Sequence, residues 1–185
     1  GFGEGIDDAV EAYFDHFKID ATGIELPLER FDHPITLRNF CTVTNPTREH
    51  QVRLVGRAPS LNAMFGEYLN SVAARIEALT QSRIRAADVS SALEALGVEM
   101  WESNSREISE SRVKEIFRDT NRLWDDTILN ALQEEGVLIR QTSDDAGDAN
   151  TGPADGRGDL VVAVVYDLLA GYIIASAMAA TAGGA

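Results

Sequence analysis

From Leu160 to about Ala182 the chain reads LVVAVVYDLLAGYIIASAMAATA, an almost unbroken apolar run that holds one aspartate, Asp167. A run of this length is either a bilayer span or buried core, and the two demand different proteins. In a bilayer Asp167 costs roughly 3 kcal/mol, each Leu, Ile or Val returns only about 0.3–0.6 kcal/mol, and Ala, Gly, Ser and Tyr return little. The sum is near zero or unfavourable, and no cationic cluster follows to anchor a span. The run is therefore expected to form a short strand and then a buried helix, away from any membrane. Ala163, Asp167, Gly171, Ala175 and Ala179 recur at every fourth position, a small stripe expected to admit another helix at close range. Leu168, Leu169, Ile173 and Ile174 are expected to bury on the other faces.

What precedes this run has a helix-turn-helix rhythm. Val113, Ile116 and Phe117 mark one helix, Asp119-Thr120-Asn121 a polar joint, and Trp124, Ile128 and Leu132 a second helix. Gly136 and the apolar VLI then give a short strand, the usual order of a winged helix. The segment 143–159 is too polar and glycine-rich to pack, and reads as a long wing tip or flexible loop between strands at 137–141 and 160–165.

Earlier in the chain, Ile6, Val10, Phe14 and Phe17 predict an amphipathic helix over roughly 6–18, with Asp7 and Asp8 where the helix dipole favours anions. The stretch ITLRNFCTV after Pro34 alternates like a strand, yet Ile35, Leu37, Phe40 and Cys41 also line one side of a helix opened by Pro34, and the helix is preferred. Leu61, Phe65, Tyr68, Val72, Ile76 and Leu79 share one face of a helix over 59–80. Val89, Leu93 and Leu96 form the next, over 86–96, with Gly97 expected to end it in a left-handed cap. The fold class is thus mainly α with a few short strands: a helical lid and linker bundle followed by a winged helix. The expected domains are 1–56, an N-terminal helix and lid-like segment; 57–104, a helical linker; and 105–185, the winged helix with its C-terminal helix.

At 185 residues, 44% of them hydrophobic, the chain has enough apolar material for a core. Its formal charge of −14, from 30 acidic and 16 basic residues, points away from indiscriminate phosphate binding. The single Cys41 excludes an internal disulfide framework and suits a cytoplasmic setting. No initiator methionine and no signal-peptide pattern open the chain, which is expected to be a piece of something longer.

The order of pieces carries a resemblance. A winged helix ending in LQEEGVLIR, a variable loop, a strand and then YDLLAGYIIASAM resembles the end of the nucleotide-switch module of STAND-type ATPases, the NACHT-like, AAA+-related signalling proteins of bacterial antiviral defence and innate immunity. Val165, Tyr166, Asp167, Leu168, Tyr172 and Ala175 match that family's pattern after the wing. FDHPITLRNFC is similar to the small helical domain that closes over the adenine, and the resemblance carries Pro34 over as its nucleotide contact. The family's histidine contact to the nucleotide phosphates falls at Tyr166, which donates a hydrogen bond but brings no charge. The resemblance implies ATP or ADP as cofactor, bound through an ATPase core that this segment does not contain, since no G-x-x-x-x-G-K-[ST] occurs in it. It implies no metal in this segment. The implied partners are the ATPase core and effector domains of a longer chain, and further copies in a homo-oligomer, without specific nucleic acid and without membrane.

Other motifs point less far. His16, His33 and His50 lack metal-ligand spacing and read as surface or capping residues. Asp125-Asp126 reads as a solvated first turn, Ser109 and Ser111 have no histidine nearby, and Arg53, Arg57, Arg83 and Arg85 read as partners for an acidic surface. Catalytic residues are accordingly none. Two rival functions stand beside the switch: a free-standing winged-helix transcription regulator dimerising through 160–182, and a structural, virion-type assembly protein.

Overall fold

A computed structural model of the chain describes residues 1–24, 26, 28, 31, 33–55, 60–142 and 160–183. Its elements are α1 (Ile6–Phe17), β1 (Ile19–Asp20), α2 (Pro34–Thr44), β2 (Val52–Arg53), α3 (Leu61–Leu79), α4 (Ala86–Glu102), β3 (Glu107–Ser109), α5 (Glu110–Ile116), α6 (Ile128–Glu134), β4 (Leu138–Thr142), β5 (Leu160–Val164) and α7 (Asp167–Gly183). The fold is mainly α with a few short strands. The chain divides into two compact units, Gly1–Ser71 and Val72–Ala185, so the boundary expected at 104/105 falls inside the second.

In the first unit, α1 and α2 bury Val10, Phe14, Phe17, Leu37, Phe40 and Cys41 in one cluster. Phe40 stacks on Phe14 and meets Phe31 with ring centroids 4.9 Å apart. The helix opened by Pro34 therefore prevails over the strand reading: its apolar residues meet α1 only at helical spacing. Lys18 ends α1 with a left-handed φ of 54°, which turns the chain into β1. β1 pairs in parallel with β2. The buried Asn45 side chain fastens this corner by donating to the carbonyls of Phe17 (2.7 Å) and His50 (2.8 Å).

The second unit follows the order α4–β3–α5–α6–β4–β5, with the antiparallel sheet arranged β3-β5-β4. That order of elements and strands is the winged-helix arrangement. The strand expected at 137–141 spans 138–142, and residues 143–159 lie outside the described residues.

Four expectations are corrected. First, α4 does not end at Gly97 but runs on to Glu102. Gly97 is buried against α7, where a Cβ would lie 2.7 Å from the Ile173 carbonyl oxygen and 2.8 Å from the Ala177 Cβ. Second, the side of α7 that packs is not the expected small stripe. Leu169, Ala170, Ile173 and Ala177 are buried, whereas Asp167, Ala175 and Ala179 are exposed, as is Leu168 at 52%. The glycine that permits close approach sits on α4, where the Ile173 backbone and the small Ala177 of α7 meet it, so the contact does not need the stripe that contains Ala175 and Ala179. Third, Trp124 precedes the second helix in a 3-10 turn, because the Thr127 hydroxyl accepts from the Asn130 N–H (3.1 Å) and starts α6 at Ile128. Fourth, Leu79, expected on the buried face of α3, is 75% exposed.

Candidate functional site

Pro34 occupies the first turn of α2, where its fixed φ and missing N–H are tolerated. His33 caps the helix, its Nδ1 accepting from the Ile35 N–H at 3.4 Å, a capping role of the kind expected for the histidines. Pro34 itself is exposed, while Thr36, Leu37, Asn39, Phe40 and Cys41 on the same helix are buried. Asn39 Nδ2 has no hydrogen-bond partner among the described residues. Burial pushes the Cys41 thiol up to about 12, so it is protonated and unreactive at neutral pH.

Tyr166 lies in the other unit, at the junction of β5 and α7, and is 7% exposed. Its carbonyl accepts from the Ala170 N–H (2.9 Å), which makes it the residue on which α7 starts. Asp167 follows in the first turn, as its helix-start position requires, with its side chain 84% exposed and paired to Arg106 at 2.5 Å. The aspartate in the apolar run is thus a solvated helix-start anion. Among the described residues, no helix is long and apolar enough to cross a membrane.

Two buried carboxyl side chains, Glu110 and Asp119, hold the helix-turn-helix. Glu110, 8% exposed, faces Lys114 at 2.5 Å and Arg140 at 2.6 Å. Burial pushes its pKa up, but the hydrogen bonds and charges of Lys114 and Arg140 outweigh this and hold it below the usual range. The Arg140 guanidinium also lies 4.7 Å from the Trp124 ring centre, tying the 3-10 turn to β4. Asp119, in the polar joint, is 2% exposed, and its Oδ2 accepts from the Leu129 N–H (3.1 Å) at the start of α6. Burial raises its pKa despite those backbone contacts. Sequence reasoning missed both carboxylates, since neither stands in an apolar pattern that announces burial.

On α6, the helix that would read DNA in a winged-helix regulator, Ile128, Leu129, Ala131 and Leu132 are buried. What it exposes is acidic or neutral, Glu134 fully and Asn130 and Gln133 in part. Among the arginines read as partners for acidic groups, Arg83 pairs with Asp126 and Arg53 approaches Asp20; Arg57 lies outside the described residues. Ser109 caps α5 through the Arg112 N–H. Among the described residues no three His, Cys, Asp or Glu side chains are grouped to hold a metal ion. No family model, no curated protein and no solved structure matches the chain.

Proposed function

We propose that this chain is a non-catalytic regulatory segment, a lid followed by a winged helix, of a STAND-type ATPase that controls nucleotide-dependent oligomerisation in defence signalling. The observation that supports it is the junction after β5. There a buried tyrosine, Tyr166, ends the strand side and Asp167 begins a long apolar helix, directly behind the third strand of a winged helix. That is the place the YDLLAGY resemblance gives these residues. Pro34, exposed at the start of a helix whose other side is buried, suits a residue that covers a ligand. In this reading Tyr166 donates to the nucleotide phosphates, Pro34 covers the adenine, and the winged helix swings away on activation, exposing an oligomerising surface. The setting is cytoplasmic, and the partners are the ATPase core, effector domains and other copies. The free-standing regulator is the weaker reading, because the helix it would place in the major groove exposes Glu134 and no cation.

The test uses the protein expressed from its complete natural reading frame. Tyr166→Phe keeps the ring and removes the hydroxyl, and is expected to weaken ADP retention about five- to tenfold, the worth of one hydrogen bond to a charged group. Unchanged retention refutes the assigned contact. Tight, salt-sensitive binding of one duplex DNA sequence instead transfers the assignment to the regulator.

A further inference from the structure

A cleft of about 360 Å³ opens between α4 and the connection from α5 to α6, a size within the range of small-molecule sites. Ala92, Phe117 and Ile128 give it apolar walls, while Asp88, Ser91, Arg118 and Arg122 supply the polar groups.

Arg118 stands there at a conformational cost. It follows α5 with a left-handed φ of 59°, while the Asp119 N–H donates to the Lys114 carbonyl (2.8 Å) and the Arg118 N–H to that of Glu115 (3.0 Å). This is the glycine position of a Schellman cap. The same cap closes α6 in this unit, and there the position is held by Gly136, with a φ of 71°. Lys18 and Asn104 are also left-handed, so the conformation is tolerated without glycine elsewhere, but it favours glycine at each.

Charge marks Arg118 as well. Arg75, Arg83, Arg106, Arg112 and Arg140 of this unit each pair with a carboxylate. Among the described residues Arg118, like Arg85 at the head of α4, has no carboxylate within ion-pair distance, although the chain carries 30 acids; of the two, only Arg118 lines the cleft. Its neighbour in the cleft, Arg122, reaches Asp119 Oδ1 only at 4.0 Å, too far for a hydrogen bond, and donates from Nη1 to the Asp126 carbonyl at 3.4 Å, so its other N–H groups stay spare. Two arginines with spare donors therefore line the same cleft as Ala92, Phe117 and Ile128.

We infer that this cleft binds a small anionic metabolite. Arg118 and Arg122 hold its phosphate or carboxylate group, its flat apolar body lies against Phe117 and Ile128, and Asp88 and Ser91 take a hydroxyl or amino group. The inference stands apart from the nucleotide contacts proposed for Pro34 and Tyr166.

The experiment follows the backbone amides of Ala92, Phe117 and Ile128 by NMR while the 185-residue chain is titrated separately with phenyl phosphate, benzoate and inorganic phosphate. Saturable shifts are expected with phenyl phosphate or benzoate, at an affinity about tenfold above that of inorganic phosphate, and the tighter of the two identifies the anionic group. Arg118→Gly is expected to retain or raise the melting temperature, since glycine suits the left-handed cap, yet to weaken binding about tenfold. Arg118→Asn, also tolerant of that conformation, is expected to weaken it similarly. Absence of saturation in the millimolar range, inorganic phosphate binding as tightly as the ring-bearing probes, or wild-type affinity in both variants overturns the proposal.

Discussion

Gly97 in α4 lies against the main chain of Ile173 in α7, so close that a Cβ on Gly97 would stand 2.7 Å from the Ile173 carbonyl oxygen. Helix propensity favours alanine over glycine by about 1 kcal/mol, but overpacking a rigid backbone contact costs about 1–3 kcal/mol. Gly97→Ala is therefore expected to lower stability by about 1 kcal/mol, read as a fall in the urea midpoint. An increase in stability from Gly97→Ala alone would contradict this packing.

Asp119 caps α6 as a buried carboxylate whose pKa is raised. Asparagine keeps the accepting oxygen and removes the buried charge, so Asp119→Asn is expected to match or exceed the wild type at pH 7, whereas Asp119→Ala loses about 1–2 kcal/mol with the cap. Because the folded pKa is raised, the contribution of Asp119 is fully present below its unfolded value of about 4 and is lost as pH rises through the folded value. The advantage of Asp119→Asn should therefore grow as pH rises above about 4. Denaturation curves of the three proteins across this range test both the order and the direction.

Glu110 behaves in the opposite sense. Held below its usual range by Lys114 and Arg140, it stabilises the fold above its unfolded pKa, and this is lost as pH falls through the lower, folded value. Glu110→Gln is expected to cost about 1–3 kcal/mol at pH 7 and leaves two cations short of their partner. The gap from the wild type should narrow as pH falls below about 4.5. A gap that does not change with pH would mean the glutamate acts by packing alone.

The parts of this fold legible in the sequence are those where local pattern and tertiary contact agree. Phe14 and Phe17 on α1, Leu37 and Phe40 on α2, and Val72 and Ile76 on α3 repeat at helical spacing and are buried as that spacing requires. Gly97 was misleading because a glycine that ends a helix and one that admits a neighbouring helix look alike in one dimension; only Ile173, far along the chain, distinguishes them. The packed face of α7 was hidden for another reason: its residues are apolar on every side, so periodicity cannot choose between Ala177 and Ala175. The cleft lay beyond sequence reading because Asp88 and Ser91 meet Arg118 and Arg122 only when α4 packs beside the α5–α6 connection. Pro34 and Tyr166 were reached by resemblance, and each belongs to a different compact unit.

A chain that is the moving part of a nucleotide switch changes the mass of the complete protein, expressed from its natural reading frame, between ADP and a slowly hydrolysed ATP analogue, and sedimentation reads that mass. The expected results are a P-loop encoded upstream of Gly1, a small species with ADP bound, and a several-fold larger assembly with the ATP analogue. A reading frame that opens at Gly1, or one mass in both nucleotides, would contradict the switch.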